Sequence, residues 1–229
     1  EYTIVRLAED DYYLVSAGAW AAYDGDYLAK AIEDFMAAGG AFVMAHEVTT
    51  QWGVFAVAGP RARDLLSDVV VDAEPATRLS NRRFPWLSMR QIELGMCPVM
   101  AVRVAYTGEL GWELHHPVEM QNYLFDRLME AGEAHGLALV GARAQNWLRQ
   151  EKSYRAFGNE LGRDATPLEA GLDRFVDLSK EFRGKRAMEE TGIRSTCVTV
   201  LIDGPEDADP WGREALYAGP SKVGRLTSG

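Results

Sequence analysis

The stretch Arg103-Val-Ala-Tyr-Thr-Gly-Glu-Leu-Gly-Trp-Glu-Leu-His115 carries two carboxylates, two aromatics and two glycines between a strand-like segment and a helix-like one. That is a polar pocket's inventory where a core segment is expected. Within it Glu113 is the group best suited to chemistry. A carboxylate accepts two parallel hydrogen bonds, so it matches a flat heteroaromatic edge with two adjacent N–H groups, such as the amino-pyrimidinone edge of a pterin. An exposed strand glutamate is the alternative, and the pattern alone leaves both open.

Arg149 falls on a predicted helix face with Ala142 and Gln145, beside Trp147-Leu148, which places a permanent cation close to the core. Such a guanidinium is costly to bury unless a carboxylate or a ligand oxygen meets it; a salt bridge to Glu151 or Glu113 is the simplest partner. Glu1 and Glu169 also lie near apolar segments, with nothing local to distinguish either. The histidines His46, His115, His116 and His135 have no metal-ligand spacing, and the adjacent pair would point to opposite faces of a strand. They are expected at the surface or at an edge, with no metal site. There is no Gly-x-Ser-x-Gly elbow, and neither cysteine has a nucleophile's setting.

The elements that must position these groups belong to a chain of 229 residues with a net charge of −10 and no run of basic residues. That balance excludes the footprint of a nucleic-acid or anionic-membrane binder. Cys97 and Cys197 have no CxxC spacing, so neither a disulfide framework nor a structural zinc is expected, and a reducing compartment is the default. No apolar run reaches membrane-spanning length. Glu1-Tyr-Thr-Ile-Val5 resembles neither a start nor a signal peptide, and Val223 to Gly229 follows a strand-like stretch directly. Both ends are therefore expected to continue.

Residues 2 to 7 and 12 to 17 predict a hairpin; Asp24, as N-cap, opens a helix ended by Gly39-Gly40; 41 to 48 predicts a third strand. Val54 to Val57 is strand-like, and Pro60 suits the first position of a helix running through Leu66. A surface connection over 71 to 86 is pinned by Phe84-Pro-Trp86, and strands over 88 to 94 and 99 to 105 flank a turn. Helices follow from Pro117 to near Gly136 and from Ala142 to about Tyr154, then a strand over 175 to 178, a short helix over 184 to 190 and a strand over 196 to 202. No internal repeat or Gly-rich phosphate loop is present. This is an α+β arrangement rather than a parallel doubly wound one.

Three blocks carry a resemblance: Tyr106-Thr-Gly-Glu-Leu-Gly-Trp-Glu113, Leu148-Arg-Gln-Glu-Lys-Ser-Tyr-Arg-Ala-Phe-Gly-Asn159 and Thr166-Pro-Leu-Glu-Ala-Gly-Leu172. In this order and spacing they resemble the aminomethyltransferase family, the tetrahydrofolate-binding T-protein fold of glycine cleavage. Val57-Ala-Gly-Pro60 and Thr227-Ser-Gly229 match as well. The wording is closest to the C-terminal folate region of dimethylglycine and sarcosine dehydrogenases.

The resemblance implies antiparallel sheets with flanking helices in two interleaved subdomains. Residues 1–50 and 166–192 would form a small ferredoxin-like α+β subdomain, 51–165 a central folate-binding one, and 193–229 the beginning of a C-terminal β domain. It implies tetrahydrofolate as cofactor and a small-molecule N-methyl or aminomethyl donor. FAD would lie in a part preceding Glu1 or in a separate chain, since no flavin fingerprint is present here. By position Glu113 resembles the pterin-binding glutamate, Tyr106 a pocket aromatic and Arg149 a partner for a folate oxygen.

The family's catalytic aspartate falls on Glu1, a departure. A glutamate has a similar intrinsic pKa, but its extra methylene moves the carboxylate, and misplacement by about 1 Å can cost about a hundredfold. Ala17 stands where the glycine-cleavage enzymes resemble one another in an asparagine. The resemblance therefore favours the methylglycine-dehydrogenase-like reading. A glycine-cleavage aminomethyltransferase, an S- or O-methyl demethylase and a non-catalytic folate-binding module are its rivals. The compartment implied is the cytoplasm, or the mitochondrial matrix in a eukaryote.

Overall fold

The computed structural model describes residues 2–204 and 209–229. Two compact units divide the chain: Glu1–Ala105 with Leu110–Leu137, and Tyr106–Glu109 with Ala138–Gly229. All strand ladders among the described residues are antiparallel and accompany helices, an α+β architecture.

In the first unit, β1 (Thr3–Arg6) and β2 (Tyr12–Val15) form the expected hairpin, closed where the Leu7 amide donates to the Asp11 carbonyl at 2.8 Å. Helix α1 (Ala21–Ala37) starts before Asp24, which therefore sits in the first turn rather than at the cap. A carboxylate there still faces the positive end of the helix. Leu28, Ile32 and Met36 form its half-buried stripe.

A four-stranded sheet follows, ordered β3 (Trp52–Ala58), β6 (Gly111–Pro117), β5 (Cys97–Val102), β4 (Met89–Leu94). Its strands alternate inward and outward residues. Val57, Ile92, Leu94, Val99, Ala101, Trp112 and Leu114 point into one core. Helix α2 (Ala62–Val69) covers that face with Ala62, Leu65, Leu66 and Val69, and α4 (Gln121–Gly132) with Leu124 and Leu128. Both use helical spacing to present one apolar stripe. Gly111 opens β6 because a side chain would not fit: a Cβ there would lie 2.8 Å from the Val57 carbonyl oxygen and 2.9 Å from the Ala105 Cβ.

The connection over 71 to 86 contains a short helix, α3 (Pro75–Arg78), and is pinned by Phe84, which is fully buried edge-on to Trp112. Trp86, expected to share that role, is exposed. Asn81 reinforces the clamp, its amide oxygen accepting from both Arg63 and Arg103. Burial, followed by the neighbouring Arg63 charge, lowers the Arg103 pKa.

The second unit holds α5 (Ala142–Glu151), α6 (Lys185–Thr191) and the hairpin β7 (Ala215–Ala218) with β8 (Ser221–Arg225). Several expected elements differ. Residues 41 to 48 and 196 to 202 join no ladder among the described residues, since a strand needs a neighbouring strand to satisfy its backbone groups. Residues 173 to 175 form a 3-10 turn that takes up part of the strand expected at Phe175. Pro60 precedes the Arg61 cap of α2 instead of entering the helix.

Because Leu114 is fully buried where β6 crosses the core, Leu114→Ala is expected to destabilise the protein by about 2–5 kcal/mol. Val54→Ala, on an exposed position of the sheet, is expected to change stability by less than about 0.5 kcal/mol. Urea denaturation followed by tryptophan fluorescence measures both.

Candidate functional site

In the first unit Glu113 stands on the sheet face away from the core, flanked by its register partners Ala56 on β3 and Val102 on β5. Its side chain is 30% exposed, and its one ion-pair contact among the described residues is with His115 Nε2 at 3.5 Å. His115 is two residues on and shares that face; its Nδ1 lies 3.2 Å from the Tyr13 hydroxyl. Tyr13 packs edge-on to the imidazole and tilted against Trp52. Burial foremost, then the Glu113 charge, pushes the Tyr13 phenol's pKa up. On the same face, a cleft of about 360 Å³ is lined by Trp52, Gln91, Glu93, Pro98, Met100 and Pro117 among others.

The histidine pair corrects the surface expectation. His115 and His116 are 1% and 0% exposed. They do point to opposite faces, but both faces are covered: His116 stacks on Phe55 at 4.8 Å and contacts the Leu114 carbonyl through Nδ1 at 2.9 Å. Among the described residues, Nε2 of each ring is buried without a hydrogen-bond partner, as is Trp112 Nε1.

In the second unit, Arg149 is 1% exposed and directs all five of its N–H donors to protein acceptors. Nε donates to Asn146 Oδ1 at 3.0 Å, Nη1 to the Tyr154 carbonyl and to Glu160 Oε2, both at 2.8 Å, and Nη2 to Asn146 Oδ1 and Ser228 Oγ. Its carboxylate partner is therefore Glu160, not the expected Glu151 or Glu113. Glu160 in turn accepts from the Ala156 amide and from the Thr227 and Ser228 hydroxyls. Burial raises the Glu160 pKa, and the Ser228, Ala156 and Thr227 hydrogen bonds with the Arg149 charge more than offset it, leaving it lowered. A cavity of about 780 Å³ adjoins this pair.

Tyr106 belongs to the same unit and opens a turn in which Gly108 adopts φ +72° against the Lys152 side chain. Lys152 Nζ meets Glu109 at 3.0 Å, which raises the lysine pKa. Glu1 lies outside the described residues.

Glu169, which nothing local distinguished, is 2% exposed, and its carboxylate accepts hydrogen bonds from the Thr166 amide and from the Arg194 amide, Nε and Nη2. It closes a capping box with Thr166: the Thr166 amide donates to its carboxylate at 2.8 Å, and the Glu169 amide donates to Thr166 Oγ1 at 3.2 Å. The signature Thr-x-x-Glu was present in the sequence. The Arg194 guanidinium first, then the Thr166 amide, lowers the Glu169 pKa from the usual 4.5 to about 2.

The chain matches the model of the GCVT N-terminal domain over residues 1–180. It is 36% identical to the mitochondrial dimethylglycine dehydrogenase of Mus musculus, over all of this chain and 26% of that protein. It is 33% identical to the mitochondrial sarcosine dehydrogenase of the same organism, over 95% of this chain and 23% of that protein. An aminomethyltransferase of Bacillus cereus is 30% identical over 99% of this chain and 59% of its own length. The chain thus spans about a quarter of the length of the dehydrogenases it matches.

Two outcomes are expected from the second unit's ion pairs. Arg149→Ala leaves the Glu160 carboxylate buried without its cation and should cost about 3–5 kcal/mol in chemical denaturation. The lowered pKa of Glu169 gives stability that is complete above about pH 4.5 and lost as pH falls toward about 2. Thermal unfolding across that window should fall less steeply in Glu169→Gln than in the wild type.

Proposed function

The chain belongs to the GCVT N-terminal domain family, and we propose that it is the folate half of a dimethylglycine- or sarcosine-dehydrogenase-like enzyme. Family membership supports folate-dependent one-carbon transfer in general; the methylglycine donor is the finer proposal. It rests on the identity to both dehydrogenases and on Ala17, which departs from the glycine-cleavage pattern. The flavin that would oxidise the donor belongs, in this reading, to a part outside residues 1–229, and the compartment proposed is that of a mitochondrial or cytoplasmic enzyme. The proposed domain organisation is residues 1–50 with 166–192, then 51–165, then the start of a β domain from 193.

The observation that carries the reading is the Glu113 carboxylate. It is fixed on a strand paired on both sides, is partly open to solvent, and takes no hydrogen bond from the backbone among the described residues. That is the acceptor a pterin edge requires. Bound tetrahydrofolate supplies the nucleophilic nitrogen that accepts the one-carbon unit. Glu113 holds the pterin edge in this reading, and Tyr106 is carried as a pocket aromatic by its place in the family pattern alone. Arg149 would meet a folate oxygen only by exchanging one of the partners it already has. Glu1 is the candidate base by its place in the family pattern. Most of the acceleration would come from orientation, because a held acceptor loses little further freedom on reaction.

Glu1 in place of aspartate favours one rival, a folate-binding module without catalysis. The readings separate in the complete protein with its flavin part: formation of methylene-tetrahydrofolate from an N-methylglycine donor is expected, and its absence with folate binding intact selects the rival. For the site itself, Glu113→Gln should weaken tetrahydrofolate binding at least about tenfold, since hydrogen bonds to a charged acceptor are lost. Equal affinity of the two proteins, measured by anaerobic titration calorimetry, would remove Glu113 from the site.

A further inference from the structure

We propose that His115 is the positioning residue for Glu113, donating its Nε2–H to the inner carboxylate oxygen while the Tyr13 hydroxyl selects the tautomer. The inference rests on the reading of Glu113 as the ligand-holding group and adds what sets its orientation.

His115 is enclosed: Tyr13 of β2 lies against its ring, Val54 of β3 and Met100 of β5 are its register partners, and Glu113 is its neighbour along β6. Among the described residues, the titratable groups in contact with it are Tyr13 and Glu113. A polar ring buried to 1% exposure is costly unless both nitrogens are satisfied. Nδ1 has the Tyr13 hydroxyl at 3.2 Å, whereas Nε2 has no hydrogen-bond partner among the described residues and faces Glu113 Oε2 at 3.5 Å.

The two neutral tautomers are not equivalent here. With the proton on Nδ1, the imidazole donates to the phenol oxygen and its Nε2 lone pair opposes a carboxylate lone pair. With the proton on Nε2, the phenol donates to Nδ1 and Nε2–H points at the carboxylate, so each donor has an acceptor. Only a protonated phenol can play that part, and burial together with the Glu113 charge keeps Tyr13 protonated.

The 3.5 Å separation is longer than the roughly 2.7–2.9 Å of a charge-assisted hydrogen bond. A small rotation of the partly exposed Glu113 side chain closes it. A ligand edge engaging the outer side of the carboxylate and His115 engaging the inner side then favour the same rotamer, so each stabilises the other. A donor behind a ligand-holding carboxylate restricts its orientation in the way that outer partners restrict metal ligands.

Imidazole ¹⁵N–¹H correlation spectra of the wild-type protein test the tautomer without any ligand; the Nε2–H form is expected, and an Nδ1–H form overturns the proposal. Tetrahydrofolate titration then compares three variants shown to be folded by thermal unfolding. His115→Gln, whose amide N–H can reach the position of Nε2–H, should bind within about threefold of wild type. His115→Asn and His115→Leu should bind about tenfold or more weakly, the value of one hydrogen bond to a charged group. A merely space-filling role predicts that leucine is tolerated, and wild-type affinity in His115→Leu would overturn the positioning role. Wild-type protein that shows the Nε2–H tautomer yet binds no tetrahydrofolate would instead overturn the folate reading of Glu113, leaving the His115–Glu113 geometry standing.

Discussion

The alternation along β6 is the constraint on which the first unit depends. Trp112 and Leu114 go into the core with no exposed surface, and Glu113 and His115 are thereby held on the opposite face. Because β3 and β5 pair with the strand on its two edges, a slip of one residue would carry a carboxylate into the core and a tryptophan out of it. The Glu113 carboxylate is therefore put on that face by the burial of its neighbours along the strand. Gly111 serves the same end, since the strand can begin so close to Val57 and Ala105 only without a side chain.

The second unit buries charges, and among the described residues Arg149, Glu160 and Glu169 each meet an opposite charge. Arg149 gathers Asn146, Tyr154, Glu160 and Ser228, and Glu160 gathers Ala156, Thr227 and Ser228, so α5, the segment after it and the 227–229 segment converge on one ion pair. Buried charges are tolerable when their donors and acceptors are fully used, and they then specify one arrangement. Glu169 and Arg194 repeat the logic at a helical turn, with the capping box supplying the backbone part. The Leu148–Asn159 block supplies Arg149 to the first of these networks, and the Thr166–Leu172 block supplies Glu169 to the second.

Much of this was legible in the residue pattern. The first hairpin, α1, α4 and α5 follow from turn residues and helical periodicity, and the polar stretch around Glu113 marks the candidate site without any partner in view. Local signals were weaker where a neighbour decides the outcome. The 41–48 and 196–202 segments have strand-like composition yet join no ladder, because pairing is a property of two segments. His115 and His116, without metal-ligand spacing, read from the sequence as surface or edge residues; two covered sheet faces place them inside. Arg149 was known to need an anion, but the choice of Glu160 over Glu151 or Glu113 lay beyond reach of helical spacing.

By itself the sequence determined the element types with strong periodicity, the family, and the identity of Glu113 as the residue to examine, since these depend on spacing along one chain. Tertiary structure decided which groups face one another: Tyr13 with His115 and Glu113, Arg149 with Glu160, Glu169 with Arg194. The reason is physical. Periodicity states which side of an element a residue takes, whereas hydrogen bonding and burial depend on what the rest of the chain brings to that side, and that information is shared among residues far apart in sequence.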